Sequence, residues 1–109
     1  MHIQSGKHVV GDNAQGFEAL QDGEGRRHFD HIVKFEQKFD DVPHVLVALN
    51  YLDVTPHALK LHVSAEEVSA SGFVLRYSTW ATAHVFGVGA QWTAFRAALS
   101  DFRLTGRIL

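Results

Sequence analysis

The sequence of 109 residues contains no cysteine, which excludes disulfide bonds, cysteine-ligated zinc sites and thiol nucleophiles. It has no excess of basic residues, because ten Lys and Arg stand against twelve Asp and Glu for a formal net charge of -2. Proteins that bind nucleic acid draw much of their affinity from such an excess, so no nucleic-acid partner is expected. Two prolines, nine glycines and no internal repeat or low-complexity segment indicate a single domain over residues 1–109.

Membrane and export signals are also missing. No apolar run approaches the roughly 18 residues that span a bilayer, so membrane insertion is not expected. No basic stretch leads into an apolar run near the first residue, so the sequence predicts no secretory signal. These features favour synthesis in the cytoplasm, with non-classical export or association with a particle as the routes that remain open.

The usual catalytic patterns are absent. No serine lies in a strand-turn-helix elbow and no acidic pair has catalytic spacing, so the chain is not expected to be an enzyme or to need a cofactor. His28 and His31 could suggest a metal site. On a strand, however, residues three apart point to opposite faces, so no metal is expected there.

Apolar residues recur mainly with a period of two, which is typical of strands separated by turns. The segment Leu59–Ser64, for example, places Leu59, Leu61 and Val63 on one face and Lys60 and His62 on the other. Six strand candidates follow from this pattern: Lys7–Val10, His28–Phe35, His44–Leu49, Leu59–Ser64, Gly72–Trp80 and Val85–Trp92. The prediction is an all-β, six-stranded antiparallel β-sandwich.

The last segment breaks this pattern. Phe95, Ala98, Leu99 and Phe102 recur at helical spacing, so Phe95–Leu109 is expected to form either a terminal helix or a last irregular strand.

Three aromatic residues could form a binding surface. Trp80 and Phe86 lie on consecutive strand candidates joined by a short connection, so they could meet across a hairpin, with Trp92 further along. A flat aromatic ring beside polar groups is what the apolar face of a sugar requires. On the pattern alone, core packing explains these aromatic residues better.

The order and spacing of several segments resemble the H-type lectins, a family that includes snail agglutinins and the C-terminal domain of the discoidins. The resemblance covers about residues 3–95 and leaves 96–109 as an extension. It rests on the segments Ile3–Lys7, Gly11–Asp12, Phe17, Phe39, Pro43–Val45, Leu52–Val54, Leu59–Leu61 and Val68–Phe73, and on Thr79, Trp80, Val85 and Trp92.

The resemblance implies a homotrimer, or a hexamer, that binds terminal galactose or N-acetylgalactosamine between subunits without catalysis, as proteins of cell adhesion do. The implied carbohydrate-binding residues are Gly25, Arg27, Lys60, Trp80, Ala81 and Phe86. Some relatives also have a disulfide at the positions of Val10 and Tyr77, which are therefore expected to pack as neighbouring strand residues.

The implied site departs from the family pattern at four positions. Lys60 and Phe86 replace an arginine and a tyrosine, Arg27 replaces an aspartate that binds sugar hydroxyls, and Ala81 replaces a histidine. A shifted alignment would restore an acid from one of three nearby residues, Asp22, Glu24 and Asp30.

Two functions therefore stay open. The first is a lectin module for galactose-type sugars or, because Arg27, Lys60 and Arg26 are cationic, for acidic glycans. The alternative is a trimeric structural or attachment component, for example of a phage-like particle, with a degenerate sugar site.

Overall fold

The computed structural model describes residues 1–11, 13–54 and 59–97. In chain order the elements are β1 (His2–Gly11), α1 (Glu18–Gln21), β2 (Arg27–Lys34), β3 (His44–Val54), β4 (His62–Glu66), β5 (Gly72–Thr79) and β6 (Val85–Arg96). Strands β1, β6 and β3 form one sheet, called sheet 1, and β2, β5 and β4 form the other, called sheet 2. Every strand pair is antiparallel. The predicted six-stranded antiparallel sandwich is therefore confirmed.

The core lies between the two sheets and follows from alternation along their central strands. On β5, Leu75, Tyr77 and Thr79 are buried, whereas the residues between them are partly exposed. Because successive strand residues point to opposite faces, each sheet has one buried and one outer face. The largest fully buried apolar side chains are Tyr77, Phe17, Phe39, Leu20, Leu75, Val85 and Val88.

Trp92 is partly buried and packs against this core. Its ring packs against Phe35 and Phe73, at centroid distances of 5.8 and 5.4 Å. Gly6 on the neighbouring strand allows this packing, because a Cβ atom at Gly6 would lie 2.8 Å from the Trp92 ring. Core packing is therefore the correct interpretation for this tryptophan.

The observed strand boundaries differ from several predicted ones. β1 begins at His2, β3 continues to Val54, and β4 begins at His62. Leu59, predicted to be half-buried in a strand, precedes β4 and is 51% exposed. The helix α1 was not predicted, because four residues are too few to show a helical period.

Strands β5 and β6 do not form the hairpin that would bring Trp80 and Phe86 together. β5 pairs with β2 and β4, whereas β6 pairs with β1 and β3 in the other sheet. The connection between them is five residues long, which is enough to cross the roughly 10 Å between packed sheets. A short connection therefore does not distinguish a hairpin from a crossover between sheets.

The structure tests the expected helix or strand in Phe95–Leu109 only at its first residues. β6 continues to Arg96, so Phe95 lies in a strand and not in a helix. The other residues of the helical pattern lie outside the described residues. Within the described part of the chain, no helix is long and apolar enough to cross a membrane.

Val10 and Tyr77 both lie in the core cluster, but not on neighbouring strands as expected. Val10 is on β1 in sheet 1, and Tyr77 is on β5 in sheet 2. The two side chains therefore contribute to the core from opposite sheets.

A second contact between the sheets is made by two histidines. His8 of β1 and His31 of β2 stack with ring centroids 3.7 Å apart, and Nδ1 of His8 is hydrogen-bonded to the buried Tyr77 hydroxyl at 2.9 Å. Burial, with a smaller contribution from His31, lowers the pKa of His8 from 6.5 to about 4. Burial also lowers the pKa of His31 and raises that of Tyr77 to about 12. These groups are therefore neutral in the folded protein at neutral pH.

This arrangement predicts that acid weakens the fold. Because the pKa of His8 is lower in the folded than in the unfolded chain, the unfolded chain binds more protons as the pH falls from 6.5 towards 4. We expect the free energy of unfolding, measured by urea denaturation, to decrease across that range. His8→Gln should reduce this decrease, and His44→Gln, which changes an exposed histidine on β3, should not. An equal pH dependence in His8→Gln and the unmodified protein would contradict this assignment.

Candidate functional site

A groove of about 440 Å³ lies at one end of the outer face of sheet 2. Strands β2, β5 and β4 supply most of its wall, and the residues next to their ends supply the rest. The lining residues are Arg26, Arg27, His28, Leu61, His62, Arg76, Ser78, Thr79 and Trp80. Its size is within the range of small-ligand sites.

Trp80 is the aromatic residue of this groove. It directly follows β5, where the chain turns away from sheet 2. Trp80 is 38% exposed. The turn is closed by the Ala83 amide, which donates to the Trp80 carbonyl at 3.4 Å. Core packing, the interpretation favoured by the sequence pattern, is therefore wrong for Trp80 although it holds for Trp92.

Arg27 holds the end of the groove together. Its guanidinium donates five hydrogen bonds of 2.9–3.4 Å to backbone carbonyl oxygens, those of Ala19, Asp22, Gly25, Ala81 and Ala83. Because a guanidinium has five N–H donors, none remains for a ligand. Arg27 therefore gives the groove its shape and a positive charge, but no hydrogen bond.

Gly25 and Ala81 belong to the same assembly. The Gly25 amide donates to the Ala81 carbonyl at 3.1 Å, which joins the loop before β2 to the turn after β5. Both residues have positive φ angles, 75° at Gly25 and 57° at Ala81. Glycine adopts this conformation readily, but alanine adopts it at a cost, so the surrounding hydrogen bonds must hold the turn.

The other two residues implied by the resemblance lie differently. Lys60 is exposed, and its carbonyl accepts a hydrogen bond of 2.6 Å from the buried Thr79 hydroxyl. Phe86 is half-buried on β6, in the sheet opposite the groove. The fold thus brings Gly25, Arg27, Trp80 and Ala81 together, with the Lys60 backbone alongside, whereas Phe86 does not line the groove.

None of the three candidate acids lines the groove. The Asp22 carboxylate accepts the amide of Gly23 at 2.9 Å. Asp30 accepts two hydrogen bonds from Arg76, at 2.8 and 2.9 Å, and these bonds lower the pKa of Asp30. Glu24 is exposed on the loop before β2.

The resemblance did not indicate the polar residues that line the outer face. His28 and His62 are both paired with Ser78 in the strand register, so the three residues form a row across sheet 2. Strand alternation was the available signal, because it places His28 outward and His31 inward on β2. No group of three His, Asp or Glu side chains that could hold a metal ion occurs in residues 1–11, 13–54 and 59–97.

Comparison with known proteins gives a family and a fold. The family model of the H-type lectin domain matches residues 31–95. Two structures of discoidin II from Dictyostelium discoideum match with TM-scores of 0.75 and 0.78 and with 25% and 24% identity. The matches cover 85% and 89% of this chain. This chain spans only 36% and 37% of the length of the discoidin II chains.

A structure of the R1 pyocin fiber of P. aeruginosa matches more weakly, with a TM-score of 0.48 and 20% identity over 85% of this chain and 23% of the fiber chain. Among the curated proteins, no sequence matches this chain.

The contacts of Arg27 predict its effect on stability. Arg27→Met should lower the free energy of unfolding by about 2–4 kcal/mol, because it removes the five hydrogen bonds that Arg27 donates to α1, to the loop before β2 and to the turn after β5. The adjacent Arg26→Met is the control and should change the free energy by no more than about 0.5 kcal/mol, since Arg26 is exposed. Equal effects of the two substitutions in urea denaturation would show that Arg27 does not hold these loops.

Proposed function

The chain belongs to the H-type lectin family, whose members are carbohydrate-binding domains, and we propose that it binds sugar in the groove beside Trp80. The observation that carries this proposal is the exposure of Trp80 in a groove with polar walls. The other tryptophan, Trp92, is partly buried and packs against Phe35 and Phe73, so Trp80 is the more exposed of the two.

The chemistry of the groove suits a pyranose ring. One face of a pyranose is apolar and packs on an aromatic ring, whereas its rim of hydroxyls needs hydrogen-bonding partners. Trp80 supplies the aromatic ring, and Ser78, His28 and His62 supply polar atoms along the same sheet face. The ligand class is a galactose-type sugar or an acidic relative of it, and the proposed function involves no catalysis.

Self-association would complete this function. Leu49 and Leu52 pair with the buried Ala90 and Val88, so they face the inner side of sheet 1, yet they are 44% and 38% exposed. They lie on β3, an edge strand that contacts the edge strand β4 of sheet 2. Exposed leucines at an open edge favour an interface between subunits.

A homotrimer, or a hexamer built from two trimers, is the assembly that we propose for this interface. Several sites on one particle would compensate for weak binding at each site and would allow cross-linking of glycoconjugates, as in cell adhesion.

One observation favours the alternative, a structural or attachment component. Arg27 donates all its hydrogen bonds within the chain and Ala81 has only a methyl group, so neither side chain can hydrogen-bond a sugar hydroxyl. If the groove no longer binds a sugar, the domain would function only through the trimer that it forms, as a structural or attachment component. The absence of binding to any glycan on an array would favour this alternative.

The two tryptophans provide a matched test of the sugar site. Trp80→Ala should abolish glycan binding while the melting temperature changes by only a few degrees, because the ring is exposed. Trp92→Ala should instead cost about 3–5 kcal/mol of stability, because its ring packs against the core residues Phe35 and Phe73. Glycan-array binding and thermal unfolding would be measured for both proteins. Unchanged glycan binding by Trp80→Ala would exclude this groove as the sugar site.

The proposed assembly predicts a mass in solution of about three or six times the chain mass of 12.1 kDa, measured by light scattering. Leu49→Asp should shift the protein towards the monomer, because a charge would enter an apolar interface. Leu46→Asp, on the outer face of the same strand, is the control for general effects on the fold. A monomer mass for the unmodified protein at all concentrations would contradict the proposed assembly.

A further inference from the structure

The row formed by His28, Ser78 and His62 has a composition that a neutral sugar does not require. Ser78 lies on the central strand, and the register places one histidine beside it on each neighbouring strand. All three residues line the groove, together with Arg26 and Arg76. No aspartate or glutamate lines it among the described residues.

The charges around this row are unequally neutralised. Arg76 is paired with Asp30, whose carboxylate oxygen also lies 3.8 Å from Nε2 of His28. Glu66, four residues beyond His62 on β4, acts electrostatically on Arg76, as does Glu67. Arg26 and His62 have no ion-pair partner within the described part of the chain. The groove therefore keeps a net positive character.

The dimensions of the row fit an anionic group. Neighbouring strands lie about 4.8 Å apart, so the backbones of His28 and His62 are separated by about 10 Å across Ser78. A sulfate or carboxylate between the two side chains could accept one charge-assisted hydrogen bond of about 2.8 Å from each histidine. The anion and these two hydrogen bonds would fill most of the distance of about 10 Å. The Ser78 hydroxyl lies on the same face between the histidines and can donate a third hydrogen bond.

Trp80 lies at the distance that a sugar ring requires. It is two residues beyond Ser78, directly after the end of β5, and it lines the same groove. Extended backbone advances about 3.3 Å per residue. A group bound over Ser78 therefore lies within about 7 Å of the Trp80 backbone, which is close to the width of a hexose.

We propose that the row of His28, Ser78 and His62 binds the sulfate or carboxylate of an acidic sugar whose ring packs on Trp80. The inference rests on the proposed carbohydrate function and names its ligand class. It differs from the expectation drawn from Arg27, because the Arg27 donors are all used within the chain.

The row also makes binding depend on pH. Protonation of a histidine adds a positive charge to the row, so affinity for an anion should increase as the pH falls. The charged groups that line the groove with the two histidines are Arg26, Arg27 and Arg76, and the Asp30 carboxylate lies 3.8 Å from Nε2 of His28. Hydrogen bonds from Arg76 lower the pKa of Asp30, so that carboxylate stays charged at both pH 6 and pH 8.

Three sugars that differ mainly at one carbon test the proposal: galactose, galacturonate and galactose 6-sulfate. By calorimetric titration at pH 6, the two acidic sugars should bind about tenfold more tightly than galactose, and the difference should shrink at pH 8. His28→Gln and His62→Gln should each weaken binding of the acidic sugars about fivefold to tenfold and weaken galactose binding less, because glutamine keeps a hydrogen-bonding side chain but cannot become positively charged. His44→Gln, on the other sheet, should have no effect.

The possible outcomes separate this inference from the proposed function. If galactose binds as tightly as the acidic sugars and the histidine variants change nothing, the inference is overturned and the carbohydrate function stands. If no sugar binds, both are overturned. If inorganic sulfate or anionic lipid vesicles bind as tightly as galactose 6-sulfate, the sugar ring makes no contribution and the proposed ligand class is wrong. Thermal unfolding of each variant at pH 6 and pH 8 ensures that the titrations compare folded proteins.

Discussion

The hydrogen bonds of Arg27 are the constraint on which the groove depends. One guanidinium connects the end of α1, the loop before β2 and the turn after β5. That turn contains Ala81 in a conformation that alanine adopts only under constraint, and it directly follows Trp80. The position of the aromatic ring in the groove therefore depends on an arginine whose hydrogen-bond donors are all used within the chain.

The histidines on the two faces of sheet 2 have different roles: the inner one affects stability, and the outer ones line the proposed binding groove. His31 on β2 points inward and stacks on His8 between the sheets, whereas His28, three residues earlier, points outward into the groove. The same residue type thus has opposite consequences on acidification. Charging the inner pair opposes folding, and charging the outer pair favours an anionic ligand. Ligand binding at acidic pH would therefore be limited by the stability of the domain.

The sequence predicted the architecture of the protein better than its site. Alternating apolar residues were enough for the strands and the sandwich, and the spaced family segments led to the family that the comparison confirmed. Alternation could not show that β5 and β6 lie in different sheets, since both arrangements give the same pattern. For this reason Phe86 was expected beside Trp80 and is found on the opposite sheet.

The side chains of the groove were harder to predict for a physical reason. Nothing local to Arg27 indicates that its five acceptors come from three separate segments of the chain. The row around Ser78 likewise exists only through strand pairing, because its members are far apart in the sequence. Alternation assigns His28 and His62 to outer faces, but only the register brings those faces together.

The central claim is that an acidic sugar binds on the outer face of sheet 2 beside Trp80. The most direct test is a titration of the ¹⁵N-labelled protein with galactose 6-sulfate, followed by amide and indole chemical shifts. The account predicts that the largest shifts occur at the Trp80 indole and at the amides of Ser78 and His62. The largest shifts on the outer face of sheet 1, around Leu46 and Thr93, or no shifts at saturating sugar, would contradict it.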